Sequence, residues 1–170
     1  MQNETTENKK WFVLTSPPKA VKQVSRRLTE NGIENYLPLQ RQLRTWHDRK
    51  KWVEMPLFFS YIFIKAPEKQ RNQVFEVEKS LKFVSIGGQI CTLTGQEIER
   101  MRRLCNSPEP VKVEHQNFES GDEVIITAGH FEGFRGQLIQ NGINPHLKIS
   151  FSGLGCCATV LVNKDYVRKI

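Results

Sequence analysis

The stretch Met55 to Lys65, Met-Pro-Leu-Phe-Phe-Ser-Tyr-Ile-Phe-Ile-Lys, constrains the fold more than any other part of the chain. Its aromatic and β-branched residues lack the 3.6-residue spacing of an amphipathic helix and stop at a charge, so the run predicts a strand covered on both faces. Pro56, with no N–H to give to a ladder, marks the start of that strand. Just upstream, Arg41 to Trp52 carries Arg41, Arg44, His47, Asp48, Arg49, Lys50 and Lys51. A basic arm leads into the most apolar strand, a build suited to binding.

The 170 residues suffice for one ordinary domain or two small ones, and 38% hydrophobic content supports real cores. The net charge of +7 is unevenly placed. Residues 1–105 hold 19 Lys/Arg against 11 Asp/Glu, residues 106–117 hold 1 against 2, and residues 118–170 hold 5 against 5. The first part is therefore expected to meet an acidic partner or nucleic acid, and the neutral last part to do something else. Cys91, Cys105, Cys156 and Cys157 make no Cys-x-x-Cys pair and read as reduced thiols of a cytoplasmic protein. His47, His115, His130 and His146 share no metal-ligand spacing, and no metal or other cofactor is expected. No apolar run approaches the roughly 20 residues that cross a bilayer, and the polar N-terminus has no signal-peptide core.

In chain order, residues 1–10 are expected to be disordered, and Trp11 to Thr15 to form a short strand. Ser16 and Pro17 suit the first positions of a helix whose inner face is Ala20, Val21, Val24 and Leu28, whose outer face is basic, and which closes at Asn31-Gly32. Ile33 to Leu39 and Leu43 to Trp46 read as strands, and the basic turn after Trp46 as an antiparallel return. Ala66-Pro67-Glu68 predicts a helix to about Val77, Leu81 to Ile86 a strand stopped by Gly87-Gly88, and Thr94-Gly95-Gln96-Glu97 a capping box opening a helix with Ile98, Met101, Leu104 and Cys105 inward. Residues 11–105 thus predict an α+β domain, one antiparallel sheet with helices against it. Residues 106–117, with Pro108 and Pro110, read as an extended linker. Residues 118–170 carry five short β-branched runs divided by glycine or asparagine, the pattern of a small β-barrel.

Four features, in order, resemble the NusG/RfaH family of transcription elongation factors, with an N-terminal NusG-type domain and a C-terminal SH3-like barrel of the KOW type. They are Trp11-Phe12-Val13-Leu14, the run Pro56 to Phe63, Phe83-Val84 to Gly87-Gly88, and the glycine-rich run Gly121 to Gly136. The family's Phe-Pro-Gly-Tyr or Phe-Pro-Asn-Tyr becomes Phe58-Phe59-Ser60-Tyr61, and Leu154-Gly155-Cys156 stands where housekeeping members carry Phe-Gly-Arg. The resemblance leans toward operon-directed members of the RfaH type, including those acting at surface polysaccharide operons.

The resemblance implies a non-enzymatic antitermination factor whose first domain docks on the clamp of the RNA polymerase largest subunit and suppresses pausing. Trp11, Phe12, Phe58 and Tyr61 would line or support the docking patch, with core placement as the competing assignment for Trp11 and Phe12. Lys22, Arg26 and Arg27 are candidates for the non-template DNA of the transcription bubble, and Arg41, Arg44, Arg49, Lys50 and Lys51 for polymerase or upstream DNA. In the barrel, Phe131, Phe134 and Leu154 are loop candidates for a protein partner, a ribosomal protein or a termination factor, with barrel core as the alternative. A monomer is expected, and no membrane contact. The other class weighed is an RNA-binding or ribosome-associated KOW protein. No Ser/His/Asp, Cys/His or phosphate-loop arrangement suggests an enzyme.

Overall fold

The computed structural model describes residues 8–115, 121–141 and 144–170. Of residues 1–10, expected to be disordered, 1–7 lie outside the described residues, as do the last two of the expected linker, while Lys10 already opens a strand. In chain order the elements are β1 (Lys10–Thr15), α1 (Val21–Glu30), β2 (Asn35–Tyr36), β3 (Leu39–Thr45), β4 (Lys50–Pro56), β5 (Tyr61–Ala66), α2 (Val74–Val77), β6 (Lys82–Phe83), β7 (Ser85–Ile86), β8 (Gln89–Ile90), β9 (Thr92–Leu93) and α3 (Gly95–Cys105). The strands β10 (Lys112–His115), β11 (Asp122–Ile126), β12 (Arg135–Asn141), β13 (Asn144–Phe151), β14 (Cys156–Leu161) and β15 (Val167–Lys169) follow. The chain divides into two compact units, Met1–Pro38 with Phe58–Gly95, and Leu39–Leu57 with Gln96–Ile170.

The first unit is built on an antiparallel sheet with β1 and β5 at its centre, from Lys10 opposite Ala66 to Thr15 opposite Tyr61. Phe12, Val13 and Leu14 on β1 and Ile62, Phe63 and Ile64 on β5 are all buried, so apolar residues follow one another here because both strands are covered on both faces. One cluster gathers Phe12, Leu14, Ile62 and Ile64 with Val21, Val24 and Leu28 of α1, and with Val74 and Leu81. Each such side chain taken from water contributes about 1.5–3 kcal/mol, which is what holds a ten-residue helix too short to stand alone.

The single strand expected from Met55 to Lys65 is two strands. β4 ends at Pro56 and β5 begins at Tyr61, and a turn closed by the Tyr61 N–H to the Phe58 carbonyl at 3.0 Å divides them. Pro56 therefore ends a strand, where its missing donor costs no ladder bond. α1 starts at Val21 and not beside Ser16, because the Ala20 N–H first closes a turn onto the Pro17 carbonyl at 2.9 Å. Its far end is as expected, with the Asn31 and Gly32 N–H groups on the Arg27 and Thr29 carbonyls. The helix expected from Ala66 shrinks to a 3-10 turn, Arg71–Gln73, and the single α turn of α2. Leu81 to Ile86 splits into β6 and the outer arm of a hairpin turning at Gly87-Gly88.

The second unit holds the long hairpin β3–β4, α3 and a six-stranded antiparallel sheet in the order β10-β14-β13-β12-β11-β15. Four of the five expected runs are strands, the fifth, Tyr166-Val167, is split between a 3-10 turn and β15, and Lys112–His115, inside the stretch read as linker, adds β10 to the edge of β14. Cys156 and Cys157 are buried, all four cysteines are free thiols, and burial pushes the Cys156 thiol up to about 12.

Within this unit Arg103 of α3 straps the β11–β12 loop. Its Nη2 donates to the His130 carbonyl at 2.6 Å and to the Glu132 carbonyl at 2.8 Å, its guanidinium lies 4.6 Å from the Phe134 ring centre, and His130 Nε2 donates back to the Arg103 carbonyl at 2.8 Å. Arg103→Ala is expected to cost about 2 kcal/mol and lower the thermal midpoint by about 4–8 °C. Arg103→Lys should recover less than half of that, because one ammonium cannot fork between two carbonyls while covering a ring. Paired thermal melts check both.

Candidate functional site

Four aromatic residues were expected to line or support the docking patch, with the core as the alternative for Trp11 and Phe12, and the structure separates them. Trp11, Phe12 and Phe58 are buried, at 7%, 1% and 1% exposure, so these three belong to the core. Trp11 sits on β1 with the Lys65 ammonium 5.7 Å from its ring centre, and Phe12 meets Phe83 edge to face with Arg71 behind it at 5.8 Å. Tyr61, at the start of β5, is half-buried. Its ring makes an edge contact with Phe59 at 6.0 Å, and Phe59 is 40% exposed. Phe59 and Tyr61 are therefore the aromatics that this turn leaves open to solvent, and Phe58 beside them is core.

Phe59 did not enter the sequence-based set, and its backbone singles it out. It is the one non-glycine residue with positive φ among the described residues, at +50°. A positive φ at only the first central residue of a four-residue turn is the pattern of type II′, where glycine is the favoured occupant and a bulky side chain is strained by about 1–3 kcal/mol. Proline, fixed near φ −65°, cannot adopt it, so this turn differs from one built on the family's proline. The Ser16 N–H, bonded to the Ser60 carbonyl at 3.1 Å, helps hold the turn in place.

The basic candidates also divide. On α1, Lys22 and Arg26 are exposed, with Arg26 3.5 Å from Glu30 one turn on. Arg27 is exposed too but is tied to the fold, donating Nη1 to Glu78 at 2.7 Å and Nη2 to the Val77 carbonyl at 2.8 Å. The Glu78 carboxyl is held below its usual range, chiefly by the Ser80 hydroxyl and N–H and then by Arg27. Arg41, Arg44, Arg49, Lys50 and Lys51 are all exposed along β3–β4. That hairpin reverses through His47-Asp48 between reciprocal Trp46 and Arg49 backbone bonds. At its base Gln40 is buried, with its amide bonded to the Glu109 carbonyl and the Val111 N–H at 3.3 Å each.

The three barrel candidates are not exposed. Phe131, Phe134 and Leu154 are 6%, 1% and 3% exposed, and the two rings meet edge to face at 5.6 Å. Positive φ at Gly129 and Gly133 folds the loop back so that its aromatics are buried, which is the alternative that competed with a partner-facing loop. The ring this unit does show beside that loop is Tyr166, 40% exposed. Among the described residues no cluster of His, Cys, Asp or Glu is placed to hold a metal ion, and no helix is long and apolar enough to cross a membrane.

An α+β sheet body followed by a small antiparallel barrel, with its distinctive side chains on turns, a helix face and a hairpin, defines a modular binding protein. Residues 9–102 match the family model described as "Transcription termination factor nusG". The chain belongs to the NusG family and is a NusG-type transcription elongation factor, not an enzyme. A solved structure of Thermotoga maritima NusG shares the fold, with TM-score 0.58 and 24% identity over 96% of this chain and 98% of that one. The structure of the MjSpt4:Spt5 complex aligns at TM-score 0.31 and 17% identity, covering 94% and 96% of the two chains. Among curated proteins nothing matches at a significant level.

Proposed function

We propose that this protein is an operon-directed NusG paralogue that binds the clamp of the RNA polymerase largest subunit in the cytoplasm and suppresses pausing and termination, surface polysaccharide operons being the kind of target. The observation that carries this reading is the exposed, strained Phe59 beside Tyr61, an aromatic surface at the turn where the family keeps its own aromatic motif. Rings desolvated at an interface are the usual hot spots, about 2 kcal/mol or more each. Its departures from the housekeeping pattern, Phe59-Ser60 for the proline pair and Leu154-Gly155-Cys156 in the barrel, support a specialised role.

In this reading Lys22 and Arg26 meet the phosphates of the exposed non-template strand. Arg27 contributes through the fold, by fixing α1 to Glu78 and the Val77 carbonyl. The barrel, with equal numbers of acidic and basic residues, takes a protein partner such as a ribosomal protein or a termination factor and acts as a tethered adaptor. Co-purification of polymerase with the tagged chain, before and after nuclease digestion, tests the central claim, and loss of polymerase on digestion would refute direct docking. The double charge reversal Lys22→Glu, Arg26→Glu should weaken recruitment to a stalled elongation complex about tenfold at low salt and lower the slope of affinity against salt by about two contacts' worth. Recruitment with the parent's affinity and slope would remove α1 from the DNA interface.

A further inference from the structure

β10 is the end strand of the six-stranded sheet, and it comes from the stretch whose sequence reads as linker. It pairs with β14 from Lys112 opposite Thr159 to His115 opposite Cys156. Its own residues bring little to that edge. Val113, opposite Ala158, is only half-buried, while the exposed Lys112 and Glu114 form an ion pair with each other. The buried residue of the segment, Val111, stands before the strand, its N–H on the Gln40 amide. β14 is held far more firmly. β13 takes its other edge over six pairs, from His146 opposite Leu161 to Phe151 opposite Cys156, and Cys156, Ala158 and Val160 are fully buried. β10 can therefore leave while β14 stays, and its departure would open a row of backbone N–H and C=O groups along small side chains.

We infer that β10 is a removable cover: it closes the β14 edge at rest, and the barrel's protein partner gains that edge by displacing β10 with an extended segment of its own. The inference rests on the reading of the barrel as a module for a protein partner and adds what regulates its access. Being tethered, β10 holds its place by proximity despite few contacts, so a rival strand must offer better ones. Alternation sets Cys157 and Thr159 on the outer face beside Lys148. There the Cys157 thiol reaches the Glu114 carbonyl at 3.8 Å, and the Glu114 carboxyl is held below its usual range by Lys112 first and then by Lys148. The segment that fits best therefore carries a larger apolar residue where Val113 stands and an acid where Glu114 stands. A nucleic acid has no such match, since the charges of residues 118–170 balance and give phosphates no field to follow.

Site-resolved thiol labelling of the full chain, read by mass spectrometry, tests whether β10 opens by itself. Cys157 should label about thirtyfold faster than the core-facing Cys156, and Val113→Gly should speed Cys157 about tenfold more while Cys156 and the thermal midpoint stay unchanged. Equal rates at the two cysteines, or no response to Val113→Gly, would overturn the inference. The second arm uses a labelled peptide of residues 109–115 as the rival strand. It should bind Val113→Gly at least about tenfold more tightly than the parent and protect Cys157. Glu114→Cys sets a thiol opposite Cys157, within bridging distance for antiparallel neighbours. Oxidised in the Val113→Gly background, it should abolish peptide binding, and reduction should restore it; binding indifferent to oxidation would place the peptide elsewhere and refute the inference. Capture of ribosomes or of a termination factor by the same variant should follow the same redox dependence, and capture that ignores it would also refute the cover. If β10 opens and the peptide binds but neither is captured in either state, the edge stands and the partners named above are wrong.

Discussion

Gly136→Ala is expected to disrupt the barrel, at a cost of about 3 kcal/mol or more, although it adds a single methyl group. Gly136 is the second residue of β12, and a Cβ built there falls on the backbone carbonyl of Lys148 in β13. The obstacle is backbone and not the end of a flexible side chain, so relief requires β12 to move off β13 along a ladder that runs from Gln137 opposite Lys148 to Asn141 opposite Asn144. Overpacking of a closed site costs typically 1–3 kcal/mol, and more where nothing can rotate away. Gly133, three residues earlier, makes the contrast. It has φ +80° and nothing within 4 Å of its would-be Cβ, so Gly133→Ala pays only the left-handed strain of about 1 kcal/mol. Two alanine substitutions three residues apart should therefore differ severalfold in effect. Amide exchange of β12 and β13, together with thiol labelling of the buried Cys156 and Cys157, measures the difference. Equal, small losses for the two variants would mean that β12 and β13 are not so closely apposed.

The α+β sheet and the barrel were legible because each depends on local patterns that tertiary structure did not override. Runs such as Trp11 to Leu14, and the β-branched segments after Gly121, suit only a pleated surface, and both are strands. The failures arose where a turn hides inside apolar sequence. Phe58-Phe59-Ser60 contains no Gly, Pro, Asn or Asp to announce a reversal, so periodicity ran β4 and β5 together, and the residue that breaks them apart does so in a conformation its side chain disfavours. The start of α1 was misplaced for a related reason, since Ser16 and Pro17 have good first-turn chemistry yet the chain spends them on a preceding turn.

For the site, residue type and charge were readable but burial was not. Lys22, Arg26 and the hairpin cations are exposed as their charge requires. Aromatics satisfy a core and an interface equally well, so the sequence left Trp11, Phe12, Phe131 and Phe134 open between the two, and they, with Phe58, are core. The exposure of Trp52 follows from cross-strand register, which sets it opposite Leu43 on the face away from the buried Gln40, and composition alone does not fix register.

Substitutions at two neighbouring phenylalanines should separate stability from docking completely. Phe58 is 1% exposed, so Phe58→Ala removes a full core ring and should cost about 3–5 kcal/mol, enough to depress polymerase recruitment through loss of folded protein. Phe59 is 40% exposed at φ +50°, so Phe59→Gly removes little buried area and relieves the left-handed strain of a side chain bearing a Cβ. The two effects oppose glycine's gain in unfolded-state freedom, and the thermal midpoint should stay within about 3 °C of the parent or rise. Recruitment to a stalled elongation complex should nevertheless fall about thirtyfold, the loss that a hot spot of about 2 kcal/mol predicts. Tyr61→Ala should act in the same direction, while Tyr61→Phe, which keeps the edge contact to Phe59, should stay close to the parent. If Phe59→Gly is as stable as the parent and recruits as well, the ring at this turn is not a polymerase contact, and the strain it carries would need another reason.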